Sequence, residues 1–212
     1  MHQRTRRAAT VVGAAALLGA GTTGAVAAQS GATSSNSSTS FQLVRSAATV
    51  TAKCLRGAEA SVSIKSAGPV EVMKVTASGL PKNTDYDLFV IQVPNAPFGL
   101  SWYQGDLEAD SHGRASGTFV GRFSIETFTV APDTAPAPVV HHGTFPDAAA
   151  NPKTAPVHQF HLGLWFNSPA DAAAAGCPKT LTPFNGEHTA GIQAMSTKNF
   201  ANDQGPLRRV QP

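Results

Sequence analysis

Along Val157 to Phe166 (VHQFHLGLWF), His158, Phe160, Leu162, Leu164 and Phe166 share one face of an extended chain, and Val157, Gln159, His161, Gly163 and Trp165 share the other. The first set predicts a core face with a structural His158, buried or at the core margin. The second mixes polar, aromatic and small residues, the mark of a strand covered by a loop or lining a shallow groove. Gly163, between His161 and Trp165, predicts a notch between an imidazole and an indole, sized for a small planar or sugar-like group. Directly afterwards, Ser168 is placed to cap a helix, Pro169 fits its first turn, Gly176 can close it and Pro178 stops continuation. A short helix over Ala170 to Ala175 follows.

Period-two alternation predicts further strands over Ala47 to Leu55, with Cys54 facing inward, and over Glu59 to Ser66 and Val70 to Ser78. Asp85 to Val93 (DYDLFVIQV) is apolar on both faces, which predicts a central strand. Leu100 to Ala109 and Arg114 to Phe123, joined through Asp110-Ser111-His112-Gly113, read as a hairpin with glycine at the turn. Ser124 to Val130 adds another strand. The proline-bearing segments Ala131 to Pro138 and Asp147 to Pro156 read as loops, with Val139 to His142 pairing briefly between them. Gly191 to Phe200 is the expected closing strand. Short strands at close spacing with one short helix predict an all-β fold, an antiparallel β-sandwich of immunoglobulin-like or Greek-key type.

The ends of the chain change the picture. Residues 1 to 28 place Arg4, Arg6 and Arg7 before an uncharged Ala/Val/Leu/Gly run and small residues at Ala25, Ala27 and Ala28, the pattern of a secretory signal peptide. Gln29 to Ser40 is a serine- and threonine-rich leader too polar to bury anything. A single domain is expected over 41–202, with 203–212 as a tail. No later apolar run approaches the roughly 20 residues needed to span a bilayer, so no membrane anchor is expected.

Removing the signal also removes the basic excess. Of 16 Lys and Arg, three precede residue 29, leaving 13 against 13 Asp and Glu. A mature chain near neutrality lacks the field that draws in nucleic acid or an anionic membrane. Its two cysteines, Cys54 and Cys177, predict one disulfide in an oxidising compartment.

Candidate chemistry is sparse. No G-x-S-x-G or phosphate-binding glycine loop occurs. Trp102, Tyr103, Trp165 and Phe98 are candidates for an aromatic platform holding a sugar or peptide, with His161 and Trp165 at the predicted notch. His141, His142, His158, His161 and His188, with His112, form the alternative, a zinc or copper site. His158 and His161 lie three apart, so a regular strand sends them to opposite faces. Asp106, Glu108 and Asp110 share a strand face and could hold calcium, and Glu187-His188 could serve acid–base chemistry.

His158-Gln159-Phe160-His161, then Gly176-Cys177, Pro183-Phe184-Asn185 and His188, follow the order of a stretch of the copper/zinc superoxide dismutases, which this region resembles over about 30 residues. The resemblance implies a sandwich. The segments GLPKNTDYDLFV (from Gly79) and HLGLWFNSP (from His161) make the whole chain similar to secreted proteins of high-GC Gram-positive bacteria, which implies export and a β-sandwich and supplies no activity. The expectation is therefore a secreted β-sandwich with a binding or structural role. The alternative is a histidine-metal oxidoreductase.

Overall fold

The computed structural model describes residues 37–131, 155–183 and 189–211, and among these residues twelve strands follow one another in chain order. They are β1 (Ser38–Arg45), β2 (Glu59–Ala67), β3 (Val70–Ser78), β4 (Asp85–Ile91), β5 (Ser101–Glu108), β6 (Ala115–Gly121), β7 (Phe128–Ala131), β8 (Ala155–His158), β9 (His161–Phe166), β10 (Thr182–Pro183), β11 (Thr189–Ala190) and β12 (Gln193–Ser196). Eight form one continuous antiparallel order, β5-β4-β9-β12-β1-β2-β3-β6. The predicted signal peptide, the leader up to residue 36 and the Val139 to His142 pairing lie outside the described residues.

β1 bends this order into two layers. Ser38 to Leu43 pair with β2, and Val44 and Arg45 pair with β12. One strand thus belongs to two sheets, as corner strands of sandwiches do. Between the layers lie Phe41, Leu43, Val62, Ile64, Met73 and Val75 from one side, and Tyr86, Leu88, Val90, Leu162, Leu164 and Phe166 from the other. Each fully buried aliphatic or aromatic side chain contributes about 1.5–3 kcal/mol. The alternation in β2 and β3 has this core as its cause, and both strands appear where the pattern predicts them. β4 is central as expected, buried from Tyr86 to Ile91. Its outward residues Phe89 and Ile91 join Trp165 and Ala190 in a second apolar cluster, against which Phe98 packs.

The short helix after β9 forms over Pro169–Ala174, with the Ser168 hydroxyl accepting from the Asp171 amide at 3.1 Å. The disulfide joins Cys54 to Cys177, so the end of this helix is tied to the turn beyond β1 with Cα atoms 5.5 Å apart.

Five expectations are corrected. Ala47 to Leu55 is not a strand: Ala47–Thr51 is a second short helix, capped by Ser46, whose hydroxyl accepts from the Thr49 amide. Thr49 donates to the Ala194 carbonyl at 3.0 Å and Ser46 to that of Gln193, so contacts with β12 and the local cap override the weak alternation. Val157 to Phe166 is not one strand. It breaks at Gln159 and Phe160, sending β8 to pair with β7 while β9 enters the main sheet between β4 and β12.

The expected hairpin forms its turn, where the Asp110 amide donates to the Arg114 carbonyl at 2.8 Å, but its strands splay. β5 pairs with β4 and β6 with β3. The Phe119 ring fills the space between them: a Cβ on Gly105 or Gly117 would lie 2.6 or 2.8 Å from it. Ser38 to Ser40 belong to β1 rather than to the leader, because a ladder pairs backbones whatever their side chains. The end of the chain is not a free tail. Pro206–Arg209 is a 3₁₀ turn, Leu207 and Val210 are fully buried, and the Leu207 amide donates to the Phe160 carbonyl at 3.2 Å. The Ile125 amide likewise donates to the Val210 carbonyl at 3.0 Å.

Candidate functional site

The aromatic pair Trp102-Tyr103 sits on β5, next to an irregularity in the β4–β5 ladder. Val90 faces Trp102, Phe89 faces Tyr103 and Leu88 faces Gly105, which leaves Gln104 as the extra residue of a bulge. Trp102 is half-buried against the core, and Tyr103 is 53% exposed on the outer surface. Neighbours in a strand point opposite ways, and of the two only Trp102 borders both grooves, while Tyr103 lines the outer one.

The outer groove, about 640 Å³, is lined by Tyr103, Asp106, Asp87, Phe89, Ser101 and Asn167 among others. The Tyr103 hydroxyl donates to Asp106 Oδ1 at 2.7 Å, and its ring meets Phe89 edge-on at 5.7 Å. Desolvation of the covered part of the ring, then the Asp106 bond and the charges of Asp106 and Asp87, push the phenol up to about 12.

The larger groove, about 900 Å³, lies where β5 and β6 diverge. Trp102 and Gln104 line it from β5, Gly121 from the end of β6, Arg122 from just beyond it, Phe128 from β7 and His158 from β8. Phe128 is 50% exposed and meets the His158 ring edge-on at 6.3 Å, while His158 stacks on Phe160 at 4.9 Å. Trp102 Nε1 donates to the Gln104 side chain at 3.3 Å. Arg122 is held at three points, donating to the Pro69 carbonyl at 2.7 Å and to Glu126, with fully buried Glu71 at 3.5 Å. Glu71 in turn accepts from the Phe123 amide at 2.8 Å. Aromatic faces thus stand beside a side-chain amide and a compensated ion pair. Such a wall suits an apolar face that carries hydrogen-bonding groups.

The two histidines exchange the roles their faces predict. His158 is exposed, with its Nδ1 3.1 Å from the Thr127 carbonyl, because the break before β9 takes it out of the core. His161 is fully buried: Nδ1 lies 2.8 Å from the Thr197 hydroxyl, and Nε2 lies 3.2 and 3.1 Å from the carbonyls of Ala201 and Asn202. Carbonyls only accept, so Nε2 carries the proton and Nδ1 accepts from Thr197. Burial lowers the His161 pKa, and the bonds to Asn202 and Ala201 partly oppose it.

Trp165 is fully buried, with Phe89 and Phe98 edge-on at 5.3 and 4.8 Å. The predicted notch is filled by this indole, since a Cβ on Gly163 would lie 2.2 Å from Trp165 Cζ3. His161 and Trp165 therefore hold the fold together instead of facing a ligand.

Of the alternative metal set, His158 and His161 lie apart in character, one at the surface and one sealed. His141, His142 and His188, with Glu187, lie outside the described residues. Among the described residues no three His, Cys, Asp or Glu side chains converge to hold a metal ion. The acidic trio on and after β5 does not converge either. Asp106 accepts from Tyr103, and Asp110 caps its own turn, accepting from the His112 and Arg114 amides at 2.7 and 2.9 Å, which lowers its pKa. Phe128, Arg122 and Gln104 carry no local motif. Only the pairing of β7 with β8 and the divergence of β5 from β6 bring them together. The sequence matches no family model and no curated protein.

Proposed function

We propose that the protein is exported and acts outside the cell as a binding protein, holding a sugar or a peptide in the groove between β5 and β6. Export is supported by the Arg4 to Ala28 signal pattern and by the Cys54–Cys177 disulfide. Among the described residues no helix is long and apolar enough to cross a membrane. The observation that carries the binding assignment is the convergence of Trp102, Phe128 and His158, from three different strands, on one open groove beside Gln104 and Arg122. Aromatic side chains left at the surface with hydrogen-bonding neighbours are a recurrent design for ligand contact.

The two tryptophans report binding, and Phe128 places it. Trp165 is sealed, whereas Trp102 borders both grooves, so a ligand in either should change the emission of the wild-type protein and leave that of Trp102→Phe nearly unchanged; Phe128 lines the β5–β6 groove and not the outer one. Sugar panels and peptide pools titrated against the mature protein should give such a change. Phe128→Ala, at an exposed position, should weaken the same ligands about tenfold or more, equivalent to about 1.4 kcal/mol. Ligands that bind Phe128→Ala as well as they bind the wild type would place the site elsewhere.

A further inference from the structure

Resting on that placement of the site, we infer that its ligand is an extended peptide of another protein, added as a strand to the free edge of β6 at the mouth of the groove. β5 and β6 are the two ends of the eight-stranded order, so among the described residues each has one edge without a ladder partner. They leave a common turn and separate. Near that turn the gap is closed by Leu107 against Gly117 and by Phe119 against Gly105, and toward Trp102 and Gly121 it opens into the groove.

The two edges are not equivalent. Natural sheets protect free edges with charged side chains, proline or bulges, because unpaired backbone groups recruit further strands. β5 has these guards: a bulge at Gln104 and exposed Asp106 and Glu108. β6 (ASGTFVG) has none. It contains no charged residue and no proline, its ladder with β3 runs without a register shift from Ala115 to Gly121, and Val120 is 63% exposed. An edge left without a bulge or a charge beside an aromatic groove is arranged for strand addition, in which the main chain supplies affinity and alternate side chains enter a pocket.

The groove chemistry agrees with a peptide of little net charge. Arg122 is already compensated by Glu126 and Glu71, so nothing there demands an anion. One apolar side chain of the added strand would rest on Trp102 and Phe128, and its neighbours in sequence would face away.

The test starts from the mature, disulfide-bonded protein, panned against a random heptapeptide library on phage and applied in parallel to a glycan array. Enriched peptides, made synthetically, should lose at least tenfold in affinity when N-methylated at every second residue and little when methylated at the residues between. Val120→Lys, which adds a guard at an exposed position, should weaken them at least tenfold, as should Phe128→Ala. No enrichment, or indifference to N-methylation, overturns the strand-addition inference. So does self-association abolished by Val120→Lys, which would make a second copy of this chain the occupant. Glycan hits lost in Phe128→Ala overturn the peptide but keep the groove as the site. Hits of either kind that survive Phe128→Ala overturn the site as well.

Discussion

Replacing His161 by alanine removes a side chain sealed from solvent and joined at both ring nitrogens, to Thr197 on one side and to the carbonyls of Ala201 and Asn202 on the other. Each hydrogen bond contributes about 1 kcal/mol net. Thr197 keeps a partner in Leu162, and the carbonyls belong to exposed residues that water can reach, so about 2 kcal/mol is the bonding share. The void left by the imidazole, packed against Gly205, adds about 1–2 kcal/mol, giving roughly 3–4 kcal/mol in all. For a domain of this size that corresponds to a fall of roughly 6–16 °C in Tm.

His158→Ala, at an exposed position, loses its ring contacts with Phe160 and Phe128 and one hydrogen bond with the Thr127 carbonyl, about 1–2 kcal/mol. Urea unfolding of both variants, with unchanged m-values, measures the difference. Acid provides an independent check. His161 has its pKa lowered by burial, so below the unfolded value near 6.5 the unfolded chain binds the extra proton first. The stability that neutral His161 contributes is fully present above that pH, and it is lost as the pH falls through the lowered folded value. This part of the acid sensitivity should vanish in His161→Ala. A His158→Ala variant that is the less stable of the two, or a His161→Ala variant with the wild-type pH slope, would refute the reasoning.

Three further outcomes are expected. The double variant Cys54→Ala/Cys177→Ala should lose up to about 4–5 kcal/mol, the loop-entropy value for a separation of 123 residues, and a loss under about 1 kcal/mol by thermal unfolding would contradict it. Gly163→Ala should cost about 1–3 kcal/mol and shift the Trp165 emission, because its Cβ would overlap the indole; an unchanged Tm and spectrum would mean the notch is open. A chain starting at Gln29, with 13 basic and 13 acidic residues, should pass through heparin at low salt, and salt-sensitive retention would reveal segregated charge.

What the sequence determined by itself is what a short window contains. β2 and β3 alternate because one face of each meets the core, β4 is apolar on both faces because it lies inside a sheet covered on both sides, and Ser168 to Gly176 carries its own cap and stop. The Cys54–Cys177 pairing needed only the count of cysteines, since two allow a single pairing. Tertiary structure decided which strand meets which. Alternation states which face is apolar and says nothing about the partner, so the transfer of β8 to β7 and the divergence of β5 from β6 around Phe119 were invisible in it. The same blindness governs the candidate site. Trp102 is legible as an aromatic, but Phe128, His158 and Arg122 become its neighbours only through long-range pairing, and His161 is sealed by residues Thr197 to Gly205, nearly 40 positions later in the chain. The helix after Ser46 was local in its cap yet read as a strand, because the carbonyls of Gln193 and Ala194 that hold it lie about 145 residues away. Local propensities there are nearly balanced, and distant hydrogen bonds tip them.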